Sequence, residues 1–313
     1  MKNLFMLSII FTLVGFYSCQ TRFNDEPSSE DYSSGESEVE ISIVTDPVSR
    51  STEYSTPNEN IVENLDVLLF DSEGKFLCWR TTFKINGKLR TTLPIGKDYD
   101  AYFLANCRSF IEKMLPDEVT EGQYIGKADW EVFRKELVDE NPKRLLQNTP
   151  VFTCLPMWGM LEKQEVKDGV INYWPLLSLI RSVASVDVYV TTDIAEFTLK
   201  DATLYNVPDK GFLGNSSNNI VDDKVQVAYS PVDMETALIL ESSDYNISDR
   251  SIANKLYLYD NDTQTETENR RHTRLVVGAE YKGAKYYYPI DFENSESCLL
   301  YTSPSPRDVE ESR

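Results

Sequence analysis

The sequence predicts a mainly β protein of two β-sandwich domains, the first with a short helical insertion. Three observations carry that prediction. Apolar and polar residues alternate over short runs, the period of a half-buried strand. Clusters of Gly, Pro, Asn and Asp punctuate the runs at close spacing. The chain's 313 residues, 41% of them hydrophobic, are enough for two cores. No short internal repeat occurs, which argues against a solenoid.

The first 18 residues read as an export signal. Lys2 supplies the basic end, and the apolar run LFMLSIIFTLVGF is short for a membrane span. The run closes on FYSC, with Ser18 directly before Cys19, which resembles the lipobox of bacterial lipoproteins. There the signal is cleaved before the cysteine and the thiol is lipidated, tethering the protein to the membrane. Phe16 stands where Leu is the common choice, and the alternative is an ordinary secretory signal that happens to contain a cysteine. Residues 19–50 then form a leader whose polar run QTRFNDEPSSEDYSSGES suits a membrane-proximal linker.

Within that leader, SEVEISIVT places Val39, Ile41 and Ile43 in alternation with Glu38, Glu40 and Ser42, which predicts a strand where a linker would suffice. Residues 51–171 follow as the N-terminal sandwich. NLDVLLFD runs into the turn DSEGK, where Gly74 can take positive φ, and FLCWRTTFKI returns. GKLRTTLPIGKDYDAYFLAN gives two more strands. About residues 109–147 form the helical insertion: SFIEKML is one short helix, and ADWEVFRKELV sets Trp130, Phe133 and Leu137 on one face of another. Strand texture resumes at TPVFTCLPMWGM.

Residues 172–297 read as the C-terminal sandwich. It opens with YWPLLSLIRSVASVDVYVTT, whose middle around Arg181 fits either a helix or a strand, and continues with FTLKDATLYNVP and the loop GFLGNSSNNIVDDK. NKLYLYDN, TRLVVGAEYKG and AKYYYPIDF are later strands, the last two a hairpin about Lys282 and Gly283. Tyr286, Tyr287 and Tyr288 are consecutive, so a strand must point them to both faces, as core and edge residues or as a platform for sugar rings. Residues 298–313 have neither periodicity and are read as a non-native or disordered tail.

The formal net charge of −20 argues against nucleic acid as a partner. Beyond Cys19, Cys78, Cys107, Cys154 and Cys298 form no CxxC pattern, and His272 is the single histidine, so no metal site is expected. Cys78, Cys107 and Cys154 are read as free buried thiols. Asp222 and Asp223, and the run YDNDTQTETE, lack the spacing of a calcium loop. His272 lies in the charged stretch ENRRHTRL, and no nucleophile elbow, zinc-protease or phosphate-loop motif occurs. Neither an enzyme nor a cofactor is expected.

ENLDVLLFDSEGKF, LPIGKDYDAYFLANC, LPMWGM, SLIRSVASVDVYV, FTLKDATLYNVPDKGFL and LYLYDN follow one another as in the fimbrillin family, which the chain resembles over roughly residues 37–292. Its members are lipoprotein-derived subunits of bacterial type V pili. Trp158 is a departure, standing where relatives usually carry a small polar residue. The resemblance implies transthyretin-like sandwiches and a cell-surface fimbrium reached through the outer membrane as a lipoprotein lipidated at Cys19. It also implies an arginine-specific protease that removes the first strand, and other fimbrial subunits whose terminal strands fill the groove left behind. The removable strand would be that of Val39, Ile41 and Ile43, and the processing site Arg50 and Ser51, flanked by Pro47 and Pro57. Against these stand a surface arginine in a linker and a permanent first strand. A surface lipoprotein or tip adhesin that binds glycans or host proteins without polymerising is the alternative function. Family members continue past the YYYPIDF-like strand into a donor segment, which this sequence is expected to lack.

Overall fold

Whether a strand reads as alternating or as continuously apolar depends on how many of its faces are covered, and both kinds occur here. The computed structural model describes residues 35–45, 57–140, 154–190, 194–208, 210–214, 220–221, 224–225, 238–241, 251–259 and 273–291. Cys19, Arg50, Ser51, Asp222, Asp223, His272, Cys298 and the tail lie outside the described residues. The first strands are β1 (Glu36–Ile41), β2 (Ile43–Thr45), β3 (Leu65–Phe70), β4 (Phe76–Thr81), β5 (Phe83–Ile85), β6 (Lys88–Pro94) and β7 (Gly96–Ala105). Three helices follow, α1 (Arg108–Met114), α2 (Glu118–Tyr124) and α3 (Trp130–Glu136), then β8 (Val138–Asp139), β9 (Met157–Val166), β10 (Asn172–Tyr173) and β11 (Leu177–Arg181).

These strands make a four-stranded sheet in the order β10-β1-β6-β5 and a six-stranded sheet in the order β2-β11-β9-β7-β3-β4. Between the two sheets lies a core of Val39, Ile41, Leu65, Val67, Leu69, Leu93, Phe103, Trp174, Leu177 and their neighbours. The opposite face of the six-stranded sheet is also covered. There Leu68, Phe70, Tyr102 and Leu104 pack with Ile111 of α1, with Trp130 and Phe133 of α3, and with Trp158. Every side chain of β3 is therefore buried. Even Asp66 is, its carboxylate accepting from the Trp79 indole at 3.3 Å and the Arg108 guanidinium at 3.1 Å. Trp158, the departure from the family pattern, fills that helix-covered layer.

Within the expected helical insertion α1 and α3 form, with Trp130, Phe133 and Leu137 buried, while its part from 141 to 147 lies outside the described residues. The insertion also contains α2, which buries no side chain and starts at an N-cap, the Asp117 carboxylate accepting from Thr120 N at 2.8 Å. Gly159 explains the glycine of LPMWGM. A Cβ there would lie 2.5 Å from the Ser178 carbonyl oxygen and 2.9 Å from Leu177 Cδ1 on the neighbouring β11. Gly159→Val is accordingly expected to destabilise the protein by about 1–3 kcal/mol, measured by urea unfolding.

The later strands are β12 (Val183–Tyr189), β13 (Phe197–Val207), β14 (Gly211–Phe212), β15 (Ile220–Val221), β16 (Lys224–Val225), β17 (Leu238–Glu241), β18 (Ser251–Tyr259), β19 (Arg274–Tyr281) and β20 (Ala284–Asp291). A four-stranded sheet in the order β17-β13-β19-β20 and the β12–β18 pair enclose Leu199, Ala202, Leu204, Val207, Ile252, Leu256, Leu275 and Val277. The β19–β20 hairpin turns at Lys282 and Gly283, both at positive φ (50° and 78°), which matches the twist of antiparallel strands. β20 is an edge strand: Tyr286 and Tyr287 are exposed, while Tyr288 packs against the core. Taken as a whole, the described residues are mainly β, as the alternation predicts.

The stretch at 172–181, which the sequence texture groups with the second set, pairs with the first. β10 and β11 run parallel to β1 and β2, and β11 also pairs with β9. Arg181 closes β11 in extended backbone, its guanidinium 3.3 Å from the carboxylate of Glu59.

Candidate functional site

The first strand is not an appendage. β1 lies inside the four-stranded sheet, antiparallel to β6 over the whole of Glu36–Ile41 and parallel to β10 at Val39 and Glu40. Beyond Ser42 the chain crosses to the other sheet, where β2 runs parallel to β11 as an edge strand. The Leu177 N–H donates to Ser42 O at 2.8 Å, the Trp174 N–H to Glu40 O at 3.2 Å, and Ser37 Oγ to Val170 O at 3.0 Å. One segment of ten residues thus borders both sheets.

Alternation fixes what each face does. Ser37, Val39 and Ile41 point inward, and Val39 and Ile41 are 0% and 1% exposed. Burying these two apolar side chains contributes about 1.5–3 kcal/mol each. Ile43, expected to match them, is only half-buried, because the chain changes sheets at Ser42 and β2 sits at an edge. The outward face is acidic and fully matched. Glu36 Oε1 lies 2.7 Å from Arg80 Nη2, Glu38 Oε1 2.9 Å from Arg90 Nη1, and Glu40 Oε2 2.8 Å from Arg90 Nη2, with Lys88 Nζ 3.8 Å from Glu40. Glu38 and Glu40 hold the Arg90 guanidinium above its ordinary range. Sequence reasoning found the glutamates but not these partners. The Lys88-x-Arg90 alternation on β6 was the available signal.

Directly downstream, the turn Pro57–Asn60 is pinned to the body. The buried Glu59 carboxylate pairs with Arg181 and accepts from the Tyr257 hydroxyl at 3.0 Å, and Arg181 Nη2 donates to Asn60 Oδ1 at 2.9 Å. Burial, then the adjacent Glu59 charge, pushes the Tyr257 phenol far above its ordinary value. These contacts tie the turn at Pro57–Asn60 to β11 and β18 and involve no residue of β1. No group of metal-binding side chains occurs among the described residues.

Cys78 reports on this arrangement. Its thiol sits in the core that Val39 and Ile41 close, and burial pushes it up to about 12 against the opposing pull of Arg80. Cys107 lies in the other layer, and half-buried Cys154 is pushed up to about 11 by burial and Glu63. Because the thiolate is the reactive species, all three are expected to react slowly with maleimide at pH 7 in the intact chain. Loss of residues up to 50 is expected to speed Cys78 labelling by about tenfold or more while leaving Cys107 unchanged, as read by peptide mass mapping.

What the fold and this groove define is a β-sandwich protein completed by its own N-terminal strand. Residues 37–181 match the family described as major fimbrial subunit protein (FimA), a match that begins within β1 and ends with β11. Over that segment the chain is similar to the fimbrillin family. Among solved structures it is similar to the tip fimbrial protein Mfa3 from Porphyromonas gingivalis, at 17% identity over 83% of each chain, with a TM-score of 0.49. It is also similar to a fimbrilin from Porphyromonas gingivalis, at 13% identity over 81% of this chain and 80% of that one, with a TM-score of 0.42. The fimbrial anchor protein Mfa2 from Porphyromonas gingivalis aligns at 12% identity over 82% of this chain and 83% of its own, with a TM-score of 0.33. Nothing matches among curated proteins.

Proposed function

We propose that the protein is a structural subunit of a cell-surface fimbria, acting without catalysis. It is exported as a lipoprotein through Cys19, cut between Arg50 and Ser51 by an arginine-specific protease, and assembled when a strand of another subunit takes the place of β1 and β2. The observation that carries this reading is the position of β1. It is bonded on both sides and buries Val39 and Ile41, yet it belongs to the segment N-terminal to Arg50. An exposed ladder is a ready template for strand addition, and β1 covers it until assembly. Pinning of Pro57–Asn60 through Glu59 is what a body that must outlast the cut requires.

The test is N-terminal mass spectrometry of the protein recovered from fibres. A start at Ser51 supports the reading, and a lipidated Cys19 in the surface form overturns it. Arg50→Ala is expected to abolish incorporation into fibres while leaving the fold unchanged, measured by immunoblot of sheared surface material and by circular dichroism.

A second reading, a surface lipoprotein or adhesin that does not polymerise, draws on one observation. Tyr286 and Tyr287 are exposed on the edge strand β20, and with Lys200 and Lys285 they line a shallow concavity. Retention of Cys19 together with binding to glycans through these tyrosines would favour it.

A further inference from the structure

The outward face of β1 points to a rule for what can replace it. We infer that the groove selects a strand carrying carboxylates at alternate positions, read by Arg80, Lys88 and Arg90. This rests on the proposal that β1 is exchanged for a strand of another subunit, and it names the chemistry of that strand.

The chain has 51 acidic residues against 31 basic ones, so the meeting of three cations on one strand is not what its composition alone would give. Each of the outward positions 36, 38 and 40 holds a glutamate, and each has a cationic partner within 4 Å. All three cations belong to β4 and β6, which stay with the body when residues up to 50 are removed. Arg90 stands directly opposite Glu40 in the ladder and reaches Glu38 as well. Once β1 leaves, Lys88 and Arg90 face the vacant position without the carboxylates they held.

Arg80 also feels the charge of Glu121 and donates to the Trp79 carbonyl at 3.0 Å, so it depends less on an incoming carboxylate. Lys88 and Arg90 are therefore the stronger readers. A neutral strand could satisfy the backbone ladder and fill the sites of Val39 and Ile41. A cationic one would set like charges directly opposite each other on the same face. Partly exposed ion pairs add little affinity one by one, but a row of them discriminates between partners, because the wrong sign repels at every position. The occupant this groove fits is an extended segment with acidic residues outward and β-branched or other apolar residues inward.

The experiment starts from the full chain, cut after Arg50 with an arginine-specific protease and freed of its leader. Three fluorescent peptides then compete for the groove: ESEVEISIVT, the same peptide with every glutamate changed to glutamine, and the same peptide with every glutamate changed to lysine. At low salt the acidic peptide is expected to bind about tenfold tighter than the neutral one and tighter still than the cationic one, with the gap closing as salt rises. Arg90→Gln is expected to erase most of the preference, and Arg90→Glu to reverse it. Equal binding of all three peptides to the unaltered protein, or a preference indifferent to salt, overturns the charge rule and leaves strand replacement standing. Failure of every peptide to enter the emptied groove overturns both.

Discussion

Ile41→Ala is expected to lower stability by about 2–5 kcal/mol, the range for emptying a buried aliphatic site. Ile41 is 1% exposed between the two sheets of the first sandwich, in the same core as Leu177 and the partly buried Leu89. Val44→Ala is the matched control. Val44 is 41% exposed on the edge strand β2, and its change is expected to stay within about 0.5 kcal/mol. Urea unfolding of the two variants separates the inward strand from its edge continuation. A loosened β1 also uncovers the ladder of β6, so Ile41→Ala is expected to associate before any proteolytic cut, visible as dimers and larger species on size exclusion.

Trp130→Ala is expected to cost about 3–5 kcal/mol, measured by the same unfolding experiment. The indole of Trp130 stacks on Tyr102 at 4.1 Å between ring centroids and meets Phe70 edge-on at 6.3 Å. It also presses on Gly214, where a Cβ would come within 2.6 Å of the indole ring. The same layer takes in Val183, Leu213, Tyr257 and Tyr259 from the later part of the chain. Losing Trp130 therefore weakens helix packing and the contact between the earlier and later strands together. Near-ultraviolet circular dichroism is expected to lose its aromatic signal before the far-ultraviolet strand signal changes.

Much of this architecture was legible residue by residue. Strands at 65–70, 76–85 and 88–105, the helix face of Trp130, Phe133 and Leu137, and the turn at Lys282 and Gly283 all follow from local periodicity and turn chemistry. Pairing was not legible, because alternation says that a strand has an inner face and is silent about its neighbours. The union of β1 with β10 joins residues more than a hundred positions apart, and no local signal announces it. The same limit governs the candidate site. Val39 and Ile41 were evident as an apolar face, but Arg80, Lys88 and Arg90 acquire meaning only once β4 and β6 flank the strand. Ile43 misled for a related reason, since a change of sheet within an unbroken alternation leaves the pattern intact. α2 escaped notice because it buries nothing, and only its Asp117 cap marks it.

The position of β1 also has a mechanical meaning. Any strand in that place lies along its neighbours, paired with β6 from Glu36 opposite Pro94 to Ile41 opposite Leu89. A pull along its axis strains all of those pairs at once, whereas a pull across the sheet opens them one at a time from an end. A joint made this way resists stretching far better than peeling. If subunits are linked through such strands, a fibre would bear load along its length and yield where it is bent sharply or levered sideways.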